Sequence, residues 1–119
     1  PNKSAFLTDD YNQLHEESIT FLKKELKQES DKQVIVVSHH VPTFFNYPPK
    51  YSDSKINTAF ASEQAALIEN SKIDHWIFGH HHSNRVDFSI GKTMMHTNQL
   101  GYVKYGENQG YSDCKHITV

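Results

Sequence analysis

The sequence predicts an α/β fold, in which helices pack against a sheet containing parallel strands. Two short apolar runs at 33–38 and 73–78, the first rich in β-branched residues, are typical of strands in such a sheet. Each run follows a segment with helical spacing of apolar residues, at 9–28 and 58–70. Because helices and strands alternate along the chain, we expect a layered domain of one sheet and its covering helices.

The first helix is predicted over residues 9–28. Residues 8–10 are suited to cap its N-terminus, where acidic side chains complement the positive end of the helix dipole. Leu14, Phe21 and Leu22 lie near one face, and charged side chains cover most of the remaining surface. This distribution is typical of an amphipathic surface helix.

The strand at 33–38 is an uninterrupted apolar run, and we therefore expect it to be buried on both faces. It ends before Pro42, because proline lacks the N–H that a strand donates to its neighbour. A loop at 43–55 follows, whose aromatic side chains either line a pocket or fold back onto the core. The aromatic residues of this loop are Phe44, Phe45, Tyr47 and Tyr51. The second helix, 58–70, then leads into the strand at 73–78.

The remainder of the chain is predicted to be rich in β-structure. Residues 85–90 alternate between polar and apolar side chains, as in a half-exposed strand. Gly91 and Lys92 form a turn into a second strand at 93–97, which gives a β-hairpin. A loop at 98–112 follows, and residues 115–119 are expected to form a final strand.

Composition excludes several classes of protein. The 119 residues suffice for one domain, and the net charge of −2 leaves no basic patch for nucleic acid. No apolar run approaches the roughly 18 residues that a membrane span requires. A single cysteine, Cys114, forms no internal disulfide, which favours a reducing compartment and hence the cytoplasm.

Histidines cluster at the ends of the two predicted buried strands. His39 and His40 follow the first strand, and His80, His81 and His82 follow the second. Ligands of such sheets bind beyond the carboxyl ends of the strands, so both clusters are expected to face one crevice. The histidines outside these two clusters are expected to be surface or hydrogen-bonded residues. These are His15, His75, His96 and His116.

Alternation of side chains lets His80 and His82 converge on one site while His81 points away. Gly79 is expected to provide the tight turn that carries the chain out of the sheet. Neutral imidazoles bind zinc, iron, nickel, copper and manganese, so this spacing predicts a metal site. Other histidine motifs fail, because HExxH is absent and HxHxDH would need an aspartate and a histidine at Asn84 and Arg85.

The sequence SHHVP at 38–42 followed by GHHH at 79–82 resembles the calcineurin-like metallophosphoesterase superfamily. An NxxGY-like stretch at 98–102, with Glu107 and Asn108 after it, also matches. The resemblance covers about residues 14–119. It implies the C-terminal half of an α/β/β/α sandwich, with a mixed sheet flanked by helices.

The resemblance implies two divalent metal ions that activate a hydroxide for hydrolysis of phosphate mono- or diesters. Mn, Fe, Zn, Ni and Mg are not distinguished. By motif, His39 and His80 would hold one ion and His82 the other, with His40 as the alternative to His39. Phosphate-ester contacts are assigned weakly to His81, which is expected to be exposed or to touch substrate, and to Arg85.

The DxH, GDxxD and GNH motifs of the superfamily are absent from this chain. Residues 1–119 are therefore expected to be a partial, C-terminal domain that is inactive alone and partners a missing N-terminal half. Its unpaired sheet edge predicts self-association. The alternative is a non-catalytic metal-binding or interaction module, complete as it stands. A cupin-type metalloenzyme fits poorly because of the two predicted helices.

Overall fold

A computed structural model describes residues 6–29, 31–51 and 57–119. The chain divides into two compact units, Pro1–Asp31 and Lys32–Val119. None of the described helices is both long and apolar enough to cross a lipid bilayer.

The first unit contains helix α1, Thr8–Glu25, which confirms the predicted helix with an end three residues earlier. The backbone N–H of Leu7 donates to Asp10 Oδ2 over 2.8 Å. An acidic side chain thus satisfies a donor at the start of the helix, where the helix dipole also favours negative charge. Lys23 and Lys24 lie in the last turn, where a positive charge complements the opposite end of the dipole.

The second unit is built on a four-stranded mixed sheet. Its strands are β1 (Ile35–Val37), β2 (His75–Ile77), β3 (Phe88–Ile90) and β4 (Thr93–His96), in the order β1-β2-β4-β3. Strands β1, β2 and β4 run parallel, whereas β3 is antiparallel to β4. The predicted α/β class, the parallel neighbours and the hairpin are therefore confirmed.

The two faces of the sheet differ in burial, although His96 is buried on the more exposed face. Trp76 and Met95 pair across β2 and β4 and are buried on the same face. The opposite face carries Ile35, Val37 and Met94, which are 42%, 71% and 38% exposed. The expectation that the first strand is buried on both faces is therefore wrong. β1 lies at the edge of the sheet, with Ile35 and Val37 on its exposed face.

The second helix is much shorter than predicted. Helix α2 spans Ala65–Glu69, and a 3₁₀ turn occupies Asn57–Ala59. Between them, Val41 pairs with the backbone on either side of Ala61, accepting from Ser62 N–H and donating to Phe60 O. Backbone that is committed to this bridge cannot make the i to i−4 bonds of a helix. The predicted loop at 43–55 lies partly outside the described residues, and its described end forms a 3₁₀ turn at Pro49–Tyr51.

The final predicted strand at 115–119 does not form. The Lys115 side chain instead binds the Asp87 carboxylate and the backbone carbonyl of Thr97, which ties the tail to the sheet through side-chain contacts. Strand β3 likewise begins only at Phe88, after Asp87 has turned toward this lysine and His96. Side-chain contacts, rather than strand pairing, thus connect the C-terminal tail to the sheet.

Candidate metal centre

The parallel pairing of β1 and β2 continues beyond the ends of both strands. Ser38 N–H donates to Ile77 O over 3.0 Å, and Gly79 N–H donates to His39 O over 3.2 Å. These bonds keep the two chains side by side as they leave the sheet. His39 and His80 therefore emerge next to each other, at the carboxyl edge where α/β sheets bind ligands.

Three imidazoles meet at this edge. His39 Nε2 and His80 Nδ1 are hydrogen-bonded at 2.8 Å, and their ring centroids are 4.8 Å apart. The His40 ring lies 5.1 Å from His39 and 4.7 Å from His80. The structure thus brings both upstream candidates, His39 and His40, against His80.

In the segment after β2, the residues with left-handed backbone conformation are histidines. His80 has φ of 78° and His82 has φ of 47°, whereas Gly79 is not in the positive-φ region. A Cβ at Gly79 would lie 3.6 Å from His39 O, an ordinary van der Waals distance. The expectation that Gly79 provides the tight turn is therefore wrong. Positive φ costs a non-glycine residue about 1–2 kcal/mol, and such strain clusters at functional sites.

One ring nitrogen of His80 is buried and makes no hydrogen bond to the described residues. Its Nε2 is buried and has no hydrogen-bond partner among the described residues, while the Phe60 ring packs 4.9 Å from the imidazole. Burial, and then the nearby His40, His39 and His82, lower the pKa of His80 below its usual 6.5. The neutral imidazole is thereby favoured, which is the form that binds metal ions.

His82 is placed by the loop after β4. Its Nδ1 lies 2.8 Å from Glu107 Oε2, and its backbone N–H donates to Gln99 Oε1 over 2.8 Å. The Tyr102 ring meets the imidazole in a T-shaped contact with centroids 4.8 Å apart. The sequence shows Glu107 only as part of the stretch that resembles the metallophosphoesterases, and predicts no role for it toward His82. The two residues are 25 positions apart, and no local pattern links them.

His81 is a structural residue of this segment. It is only 7% exposed, and its Nδ1 accepts hydrogen bonds from Gln99 Nε2 at 3.0 Å and Ser83 N–H at 3.2 Å. Burial, and then the nearby cations Arg85 and Lys50, lower its pKa to about 4. Of the two expectations for His81, exposure is wrong, because Gln99 holds its ring inside the loop. Its contact with a phosphate ester stays a prediction.

The aromatic loop packs against the histidine segment. Tyr51 Oη donates to His81 O over 3.0 Å, and the Tyr47 ring lies 5.7 Å from the His81 ring. Thr43 is fully buried at the start of this loop. The described part of the loop therefore supports the backbone that carries the site.

Arg85 lies close enough to His81 to affect its protonation, and its own Nε is buried without a hydrogen-bond partner among the described residues. Its assignment to a phosphate ester stays a prediction.

The four remaining histidines behave as expected. His15 and His116 are exposed, while His75 Nδ1 bonds to His96 Nε2 and His96 Nδ1 bonds to Asp87.

The donor atoms of the histidine cluster are imidazole nitrogens. Imidazole nitrogens suit borderline divalent cations, and the unpartnered Nε2 of His80 marks an unmet bond in the cluster. Within the described ranges, however, no group of three or more histidine, cysteine, aspartate or glutamate side chains is arranged to hold an ion. Among these residues, the histidine cluster alone therefore does not form a metal site.

The chain is similar to the uncharacterized protein L509 of Acanthamoeba polyphaga mimivirus. The two sequences are 34% identical over 109 residues, and the match covers 85% of this chain and 38% of the viral protein. The chain thus spans well under half the length of this relative. No protein-family model matches the sequence, and no solved structure gives a significant match.

Proposed function

We propose that this chain supplies the histidine ligands of a dinuclear metallophosphoesterase centre that hydrolyses phosphate mono- or diesters. The observation that carries the proposal is the meeting of His39, His40 and His80 where two parallel strands end, with His82 on the same segment. The positive φ of His80 and His82 supports it further, because a glycine would adopt this backbone at lower cost. Both positions nevertheless carry histidine in this chain.

Each histidine has a distinct role in the proposed centre. His80, with His39 or His40, would hold one divalent cation, and His82 would hold the other. When bound, such a pair of cations supplies an activated hydroxide and neutralises charge on the phosphoryl group. The chain itself contributes the rigid placement of these histidine side chains. Gln99 contacts both His82 N–H and the His81 ring, and thereby fixes the loop between the two sites.

The remaining ligands would come from a further part of the same domain. Carboxylates such as those of the DxH and GDxxD motifs are the missing chemistry, and the longer viral relative leaves room for them. The exposed apolar face of β1 and β4 supports an additional layer. Ile35, Val37 and Met94 would be covered by it.

Cobalt binding tests the histidine cluster directly. Co²⁺ titration of this chain, followed by visible absorption, should give a histidine-dependent spectrum. His80→Ala should weaken the affinity by at least about tenfold, since even outer-shell losses cost 10–100-fold. His39→Ala and His40→Ala decide which upstream histidine is the ligand. His116→Ala, an exposed histidine in the tail, is the matched control. Equal affinity in His80→Ala and in the control would contradict the proposal.

Hydrolysis tests the chemistry. Turnover of p-nitrophenyl phosphate and of its bis ester with Mn²⁺ is compared between this chain and the full-length product of the gene that encodes it, called here the extended version. We expect turnover only from the extended version, because the histidines alone leave both ions without anionic ligands. Robust turnover by the 119 residues alone would contradict the need for a second half.

A non-catalytic metal-binding module is the second candidate. It is favoured by the all-imidazole character of the cluster formed by His39, His40 and His80. Cobalt binding by the extended version without hydrolysis of either ester would select this candidate.

A further inference from the structure

One carboxylate holds the imidazole of His82. His82 Nδ1 and Glu107 Oε2 are 2.8 Å apart, and the two side chains are 31% and 26% exposed. An ionised carboxylate only accepts hydrogen bonds, so the proton of this bond lies on Nδ1. In the neutral imidazole the other ring nitrogen, Nε2, then presents a lone pair. This is the tautomer that a metal ligand needs at Nε2.

Glu107 is itself fixed. The same Oε2 accepts the backbone N–H of Tyr102 over 2.8 Å. Gly101, at φ of 62°, lies so close that a Cβ there would be 2.6 Å from Glu107 Cβ. The loop therefore admits only glycine at 101 without a shift, and this close approach sets where the carboxylate stands. The backbone around Glu107 therefore fixes the position from which its carboxylate contacts His82.

We propose that Glu107 is the positioning residue of His82, fixing its tautomer and ring orientation so that Nε2 is offered to a divalent cation. The proposal rests on the function proposed above, which takes His82 as a ligand. A carboxylate on the far nitrogen of a ligating imidazole also raises the basicity of the ligand. Glu107 has no metal contact of its own in this role.

Imidazole tautomers are read directly by long-range ¹H–¹⁵N correlation spectra. We expect His82 of this chain to show the Nδ1–H form, with its signals identified by their loss in His82→Ala. In Glu107→Ala the Nε2–H form should appear. Glu107→Gln keeps an oxygen acceptor for both Tyr102 N–H and Nδ1–H, so it should keep the tautomer without the charge. Glu16→Ala, on the exposed surface of α1, is the matched control.

Zinc titration followed at the ¹⁵N resonance of His82 Nε2 measures ligation without any need for activity. We expect a saturable shift whose midpoint moves 10–100-fold higher in Glu107→Ala and by less in Glu107→Gln. A merely structural role for Glu107 would lower resistance to urea in Glu107→Ala but leave the tautomer and the zinc midpoint of the folded protein unchanged. That pattern would overturn the proposal.

Failure of the underlying function has a different signature. If the His82 resonance of the unmodified chain does not shift with zinc, His82 is not a ligand, and both proposals fail. If it shifts equally in the unmodified chain and in Glu107→Ala, only the positioning role is wrong. Should Glu107→Ala not fold, the zinc midpoint of Glu107→Gln decides: a midpoint above that of the unmodified chain supports the positioning role, and an unchanged midpoint overturns it.

Discussion

His80 combines two features that oppose stability. Its backbone has φ of 78°, and its Nε2 is buried without a partner among the described residues. An unmet buried polar atom costs about 1–3 kcal/mol, and the left-handed backbone costs a similar amount. Natural proteins keep such costs mainly where function requires the side chain. His80 is therefore the residue at which stability and metal binding should separate most clearly.

His80→Gly should retain stability while losing metal affinity. Glycine relieves the strained backbone and removes the unmet nitrogen, which offsets the lost ring contacts and the greater freedom of the unfolded chain. We expect the free energy of unfolding in urea to stay within about 1 kcal/mol of the unmodified chain. Co²⁺ affinity should fall as in His80→Ala. A loss well beyond 2 kcal/mol would show that the imidazole is primarily a packing residue.

At the scale of elements, Glu63 links the aromatic loop to helix α2. Its Oε1 accepts the Thr43 hydroxyl and Ala65 N–H, both at 2.9 Å, and its Oε2 accepts Phe44 N–H at 3.1 Å. Burial raises the pKa of Glu63, but these three hydrogen bonds outweigh burial and lower it below the usual 4.5. The ionised carboxylate thus joins the start of the loop to the start of a five-residue helix.

Glu63→Gln should destabilise the chain in a pH-dependent way. A glutamine amide would turn an N–H toward Phe44 N–H, which removes one bond and costs about 1 kcal/mol at this exposed position. Because the folded pKa is the lower one, the contribution is complete above pH 4.5 and disappears as pH falls through the folded value. Urea unfolding at pH 7 and pH 3 measures the loss of stability and its dependence on pH. Glu69→Gln, at the end of α2, is the control; an equal loss at both pH values would contradict this assignment.

On the scale of the whole sheet, the two faces differ in burial. Trp76 and Met95 are buried on the first, whereas Ile35 and Val37 are exposed on the second, at the edge strand β1. Edge strands with apolar side chains pair readily with other chains. Self-association of this chain is therefore expected at the β1 edge.

Val37→Lys should reduce that association at little cost in stability. Val37 is 71% exposed, so its replacement should change the free energy of unfolding by less than about 0.5 kcal/mol. A lysine on an edge strand opposes pairing by charge and solvation. Light scattering over a range of concentrations should show a mass that rises for the unmodified chain and rises less for Val37→Lys. A monomeric unmodified chain at high concentration would contradict the prediction.

The local pattern of the sequence determined the sheet and the meeting of the histidines. Apolar runs with β-branched residues mark β1 and β2, and parallel strands deliver whatever follows them to one edge, so His39 and His80 had to be neighbours. These predictions succeed because hydrophobic periodicity and strand polarity are properties of neighbouring residues. Metal binding at this edge, and the reaction it would support, do not follow from that pattern and are proposals.

Contacts between distant positions were decided only by the tertiary structure. Val41 pairs with Ala61 and shortens the predicted second helix, and Gln99 buries the His81 ring that local alternation had placed outside. Glu107 reaches His82 across 25 residues. Each of these contacts depends on how loops return to the sheet, which the free energy of the whole fold selects and no single segment encodes.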